Sequence, residues 1–224
     1  MQFEKLIKEL RLELGKPLPG ISFQMIMSSL HRIREMMNLP DPLNPVPSSV
    51  LILLYPDQGS IRFVLILRPE YNGVHSGQIS LPGGRFESDD DGFKATALRE
   101  SKEEVGVDPS KVIVIGKLTE LYIPPSNYIV HPFVGFTNEK PVFKKDPKEV
   151  EKILEINLND LLDDKNKKKR NISVRGLHFF TPCYEIEGNI IWGATAMILS
   201  EFREIVLQCR KSIKKEEEEG YLPG

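Results

Sequence analysis

Residues 81–107 read LPGGRFESDDDGFKATALRESKEEVGV: a glycine pair, a run of acids, then a stretch with helical spacing. Asp89, Asp90 and Asp91 are all good helix-capping residues, and Gly106 suits the left-handed position just past a helix end, so the spacing predicts a helix from about Phe93 to Val105. Gly83 and Gly84 then sit in the loop leading into that helix. At ~100° per residue, Glu100, Glu103 and Glu104 fall within an arc of roughly 100°, with Ala95, Leu98 and Val105 on the opposite side. One face should therefore pack while the other presents three carboxylates. Like charges at these spacings repel, so the arrangement is costly unless solvent screens it or a cation compensates it. Mg²⁺ and Mn²⁺ are the natural compensation, because they prefer hard oxygen ligands and bridge carboxylates to phosphate oxygens. A site of that kind can activate a water and neutralise a diphosphate under attack. The plainer alternative is an exposed charged face in which Arg99 pairs with Glu103.

Upstream, Phe3, Leu6, Ile7, Leu10 and Leu14 recur at helical steps, and residues 23–37 behave similarly, so two N-terminal amphipathic helices are expected. Residues 50–55 (VLILLY) and 61–67 (IRFVLIL) read as buried strands, joined as a hairpin by the turn residues Asp57, Gln58, Gly59 and Ser60. Downstream, residues 112–115, 129–136 and 153–156 are short strand candidates, and residues 197–211 regain helical spacing. The order implies one α/β unit around a mixed central sheet. We divide it into a helical extension over 1–46, a catalytic domain over 47–212 and a charged tail over 213–224 that should fray. The extension either covers the sheet or builds a homodimer interface. The basic run KNKKKR at 165–170 lacks interleaved aromatics and follows Asp160, Asp163 and Asp164, which favours a solvated loop over a nucleic-acid patch.

Forty per cent hydrophobic against 28% charged residues is the balance of a soluble globular chain, and no apolar run is long enough to cross a bilayer. A net charge of −2 supplies no field for gathering nucleic acid, so a polyanionic ligand must be held locally. Cys183 and Cys209 lack the paired spacing of a zinc site and fit a reducing compartment, and the N-terminus lacks the apolar centre of a secretory signal. A cytoplasmic protein, with neither membrane nor nucleic-acid partner, is the expectation.

Gly84, Arg99, Glu100, Glu103, Glu104, Gly106 and Val107 match the box of the Nudix hydrolase family, which this sequence resembles. The resemblance implies an α/β/α sandwich and a small nucleotide-derivative substrate. It makes Glu100, Glu103 and Glu104 metal ligands, one of them or a neighbouring carboxylate handling the proton of the attacking water. It gives Arg99 the task of orienting the glutamates, and adds the Gly84 carbonyl to the metal shell. Two departures are visible: Ser101 stands at a usually apolar position, and the interval from Gly84 to Arg99 is one residue longer than the box. The early box glutamate is thereby replaced by Asp90 or Asp91.

The preceding run RPEYNGVHSGQISLPGG, residues 68–84, is similar to the longer motif of the coenzyme A diphosphatase branch of that family, and residues 149–150 and 191–195 also look like pieces of the branch. The likeness extends over residues 50–199. It implies cleavage of coenzyme A or its thioesters to 4′-phosphopantetheine and adenosine 3′,5′-bisphosphate. Arg68, His75 and Gln78 become candidate substrate contacts, suited by their hydrogen-bonding chemistry, with a loop-bracing role for His75 and Gln78 as the alternative. Glu149 becomes a candidate further metal ligand, and Trp192 reads as core or wall in preference to an adenine platform. Gly73 stands where the branch often has an arginine. Other nucleoside diphosphate derivatives (ADP-ribose, dinucleotides, nucleotide sugars) and a non-catalytic nucleotide sensor are the competing readings.

Overall fold

The computed structural model describes residues 3–29, 32, 44–71, 73, 75–174 and 176–219. Its centre is the run at 50–55, which lies within strand β1 (Val46–Asp57), while the run at 61–67 lies within β2 (Ser60–Leu67). The two pair antiparallel through Leu54↔Phe63 to Asp57↔Ser60. Gln58 and Gly59, both at positive φ, make the tight turn that matches strand twist, as the sequence led one to expect.

Beyond Leu54 the two strands part company. There β2 pairs with β3 (Ile79–Ser80), and β1 pairs with β4 (Gly83–Arg85), so the short segment carrying the glycine pair fills the gap between them. On its other edge β1 runs parallel to β7 (Tyr128–Phe136), which in turn pairs with β5 (Ile113–Lys117) and β6 (Leu121–Ile123). Strand β8 (Lys152–Asn157) lines the far edge of β2. The sheet is thus mixed, antiparallel except at β1–β7.

Side chains alternate across a strand, and β1 supplies both faces. Leu51, Leu53 and Tyr55 pack with Val64, Ile66, Ala97, Val105 and Val150 beneath the helix α3 (Gly92–Val105). Ile52 and Leu54 pack on the other side in the larger core built around α1 (Phe3–Leu14) and α5 (Gly193–Glu219), with the short α4 (Leu158–Leu162) at its margin. Each fully buried Leu or Ile contributes roughly 1.5–3 kcal/mol. The result is the expected α/β/α sandwich with an added N-terminal helix.

Among the described residues of the N-terminal stretch, α1 is an integral part of the core. Leu6, Ile7 and Leu10 are buried in the main core, and Phe3 meets Phe136 edge-on. The second expected helix is described only as α2 (Ile21–Met25); most of the remainder of 23–37 lies outside the described residues. Its anchor is Glu201 of α5, fully buried, whose carboxylate accepts hydrogen bonds from Gly20 N, Gln24 Nε2, Thr119 N and Thr119 Oγ1. The donors come from two segments, the start of α2 and the connection between β5 and β6, so one side chain of α5 joins the extension to the sheet.

Two sequence expectations need correction. The basic run is not a loop: after a short 3₁₀ turn (Asp164–Asn166), Lys167 opens β9 (Lys167–Val174), which with β10 (Leu177–Ile186) and β11 (Asn189–Trp192) forms a separate three-stranded sheet. Lysines on such an outer strand keep it from pairing with other chains, a role that composition alone does not reveal. The charged stretch after Lys211 continues as helix to Glu219, where Lys5 of α1 reaches Glu217 at 2.7 Å. No described helix is long and apolar enough to cross a membrane. Both cysteines are free and buried.

Candidate metal centre

The site is assembled where α3 crosses the gap between β1 and β2. Gly83 has φ 153°, and a Cβ there would lie 2.2 Å from the Ser49 carbonyl oxygen; at Gly84 it would lie 2.5 Å from the Glu100 carboxyl carbon. The first glycine lets β4 press onto β1, and the second leaves room for a carboxylate. This places the acids inward. Thr96, Ala97, Glu100, Ser101, Glu104 and Val105 form the buried face of α3, so the expectation of opposite packed and acidic faces is wrong. The small residues Ala97 and Ser101 let the helix approach the sheet, carrying Glu100 and Glu104 in with them. Ser101, the departure from the usual apolar position, is satisfied internally by donating from Oγ to the Ala97 carbonyl at 2.7 Å.

Gly106 closes the helix in the left-handed conformation (φ 73°), as expected. The chain from 144 to 150 then folds back over this end. Lys144 N donates to the Val105 carbonyl and Asp146 N to that of Glu104, satisfying groups that a helix C-terminus leaves orphaned. The same turn delivers Glu149. Glu100, Glu104 and Glu149 each offer an oxygen within 4.8 Å of the others.

Electrostatics mark this trio as an incomplete arrangement of charge. Burial, opposed by Arg68 and reinforced by Glu100 and Glu149, pushes Glu104 up to about 8, and burial likewise raises Glu100 despite its bond to Arg99. Three oxygen donors at this separation suit a hard divalent cation bound at ~2.0–2.6 Å, which would relieve both burial cost and repulsion. The residues fit the ion.

Arg99 uses all five of its N–H groups. Nε and Nη2 grip Asp90 at 2.8 and 3.0 Å, Nη1 donates to Glu100 at 2.9 Å and Glu103 at 3.0 Å, and Nη2 also reaches the Arg85 carbonyl. Of the two aspartates the sequence left open, Asp90 is the one that holds Arg99. The guanidinium keeps Asp90 well below the usual carboxylate range. Asp91 is the N-cap by position but makes no side-chain capping bond. Glu103, bound by Arg99 and with its side chain 53% exposed, lies outside the close trio.

The remaining sequence candidates divide. Arg68 reaches the cluster, with Nη2 3.3 Å from Glu104. His75, at φ 69°, sits with Nδ1 3.2 Å from Gln78 Oε1, and Gln78 bonds through its own N–H to the His75 carbonyl, so this pair braces the loop at 69–78. Trp192 is half-buried at the end of β11, immediately before α5; Thr195 of that helix donates to the Ile79 carbonyl and fixes the helix start beside β3. Sequence reasoning missed His131, which stacks on Phe93 at 3.7 Å and contacts Glu120 at 3.1 Å. It shares a row across the sheet with Ser49 and Gly84, a juxtaposition that only strand register reveals.

A model of the NUDIX domain matches residues 45–175. The chain belongs to the Nudix hydrolase family. It is 34% identical over 192 residues to "Nudix hydrolase 15, mitochondrial" of Arabidopsis thaliana, a match covering 83% of this chain and 65% of that protein. With "Nudix hydrolase 22, chloroplastic" of the same plant it shares 35% identity over 176 residues, 75% of this chain and 58% of the relative. The chain therefore spans less than two thirds of either plant protein. A Yersinia pestis protein named Nudix hydrolase NudL is 31% identical over 183 residues, 77% of this chain and 92% of that one. Among solved structures, the Nudix hydrolase RenU of M. smegmatis shares the fold, with a TM-score of 0.52 at 15% identity over 73% of this chain and 87% of that one.

Proposed function

We propose that this Nudix protein is a divalent-metal-dependent diphosphatase, and that its substrate is coenzyme A or a coenzyme A thioester, cleaved to 4′-phosphopantetheine or its acyl form and adenosine 3′,5′-bisphosphate. The observation that carries the hydrolase reading is the convergence of Glu100, Glu104 and Glu149 on one point beside Gly84. These three carboxylates, joined by the Gly84 carbonyl, would hold the Mg²⁺ or Mn²⁺. Bound there, the ion supplies an activated water and neutralises charge on the diphosphate. Arg99 fixes Glu100 and Glu103 from one side, itself held by Asp90. Glu103, the box glutamate most open to solvent, would exchange a proton with the attacking water.

The coenzyme A assignment is supported by the run at 68–84, with His75 and Gln78 closing a loop next to the metal ligands, and by residues 191–195 at the start of α5. Two free cysteines favour a reducing, cytoplasmic setting. A panel of coenzyme A, acetyl-coenzyme A, ADP-ribose, a dinucleoside polyphosphate and a nucleotide sugar, with Mg²⁺ or Mn²⁺ and product identification, tests the assignment. Coenzyme A or its thioester should be cleaved with the highest kcat/KM; turnover of ADP-ribose with inert coenzyme A would replace it with another nucleoside diphosphate derivative. Binding without turnover of any compound would reduce the protein to a nucleotide sensor.

A further inference from the structure

Arg68 lies just past the end of β2, and its side chain enters the carboxylate cluster, with a quarter of its surface open to solvent. Its Nη2 donates to Glu104 Oε1 at 3.3 Å and to the Gly83 carbonyl at 3.2 Å, and its Nε donates to Ser80 Oγ at 3.2 Å. Glu104 Oε2 in turn accepts the Gly83 N–H at 2.8 Å. Gly83, Glu104 and Arg68 therefore form a closed ring of hydrogen bonds, in which both oxygens of Glu104 are held and each keeps a lone pair for a cation. Through its backbone Arg68 also closes the following loop: its N–H donates to the Gln78 carbonyl, one step outside the bond from Gly77 N to the Pro69 carbonyl.

We propose that Arg68 is a positioning residue, which aims the Glu104 carboxylate at the cation and ties the closure of the loop at 69–78 to that aim. Three of its five N–H groups are committed to protein partners, two of them at the metal-site wall, which leaves little of the fork for a bidentate phosphate contact. Lysine carries the same charge but a single point of donation, and it cannot span Ser80, Gly83 and Glu104 together. The proposal rests on the reading that Glu100, Glu104 and Glu149 bind a divalent ion.

Mn²⁺ binding, followed by electron paramagnetic resonance on the full chain without substrate, separates the alternatives when paired with steady-state kinetics on the best compound of the panel. Arg68→Met and Arg68→Lys should both weaken Mn²⁺ binding by roughly 10–100-fold, the usual cost of losing a group that orients a metal ligand. They should lower kcat while leaving KM within about threefold, because the interaction lost is not one made to substrate. Ser80→Ala, which removes one anchor and spares the guanidinium, should weaken Mn²⁺ binding in the same direction by about threefold. Full Mn²⁺ affinity and kcat in Arg68→Lys, or a tenfold rise in KM at unchanged kcat and Mn²⁺ affinity, would overturn the proposal. Glu104→Gln is the control for the underlying reading. If it leaves Mn²⁺ binding intact, the metal centre is misassigned; if it abolishes binding while both Arg68 variants bind normally, the positioning role alone fails.

Discussion

Adding one methyl group at either half of the glycine pair should separate folding from metal binding. In Gly84→Ala the new carbon would sit 2.5 Å from the Glu100 carboxyl carbon, about 0.9 Å short of ordinary van der Waals contact. The obstacle is the far end of a glutamate, which can swing away, so the fold should survive with Tm lowered by less than about 4 °C. Displacing a metal ligand by nearly 1 Å should nevertheless cost on the order of 100-fold in kcat/KM. In Gly83→Ala the obstacles are the Ser49 carbonyl oxygen at 2.2 Å and Val50 Cα at 2.6 Å, on a residue at φ 153°. Backbone cannot yield as a side chain does. Strain of about 1–3 kcal/mol plus overpacking of about 1–3 kcal/mol should lower Tm by roughly 5–20 °C. Thermal melts with and without Mn²⁺, beside kcat/KM, would read both variants. A Gly84→Ala protein that melts like Gly83→Ala, or that keeps wild-type kcat/KM, would show that the glycine does not make room for Glu100.

Three further outcomes follow from other parts of the structure. Asp90→Asn should destabilise the protein by about 1–3 kcal/mol at neutral pH; because Arg99 depresses the Asp90 pKa below its unfolded value of ~3.9, wild type should hold that advantage above pH ~4 and lose it as the pH falls further, which denaturant midpoints from pH 3 to 8 would check. Glu149→Gln should weaken Mn²⁺ binding at least about tenfold, whereas Glu151→Gln, whose residue lies outside the trio, should not, as titration calorimetry can measure. Glu201→Ala should cost about 3–5 kcal/mol by orphaning four donors, and hydrogen exchange should report faster opening at Gly20, Gln24 and Thr119 than around Glu100.

Local chemistry made much of this fold readable in advance. The turn at Gln58 and Gly59, the strands on either side, the left-handed Gly106 and the mixed sheet all follow from propensity and apolar pattern. A helical wheel sets the acidic face of α3 away from the packed one, because it treats carboxylates as solvent-seeking. Here small residues and a glycine opposite them draw the acids inward. Glu149 was suggested by resemblance alone, since its placement depends on long-range hydrogen bonds over the end of α3. Asp90 could be chosen over Asp91 only once the reach of Arg99 was visible. Glu201 carries a sequence signal of its own: it stands three residues after Ile198 and four before Ile205, on the apolar stripe of α5 where an unpaired charge would be untenable. The β9–β11 sheet gave less warning, because KNKKKR carries no apolar alternation.

The packing of α1 against α5 has a temporal side. Within this chain, α1 meets α5 across nearly the full length of the described sequence, and the sheet they cover is completed only when β7 and β8 have paired with β1 and β2. The side of α1 that meets α5 therefore stays uncovered until α5 is made, a window in which a nascent chain is vulnerable to association and suited to chaperone capture. Ribosome-bound chains arrested before α5 should expose this helix to protease, and chains arrested after it should protect it.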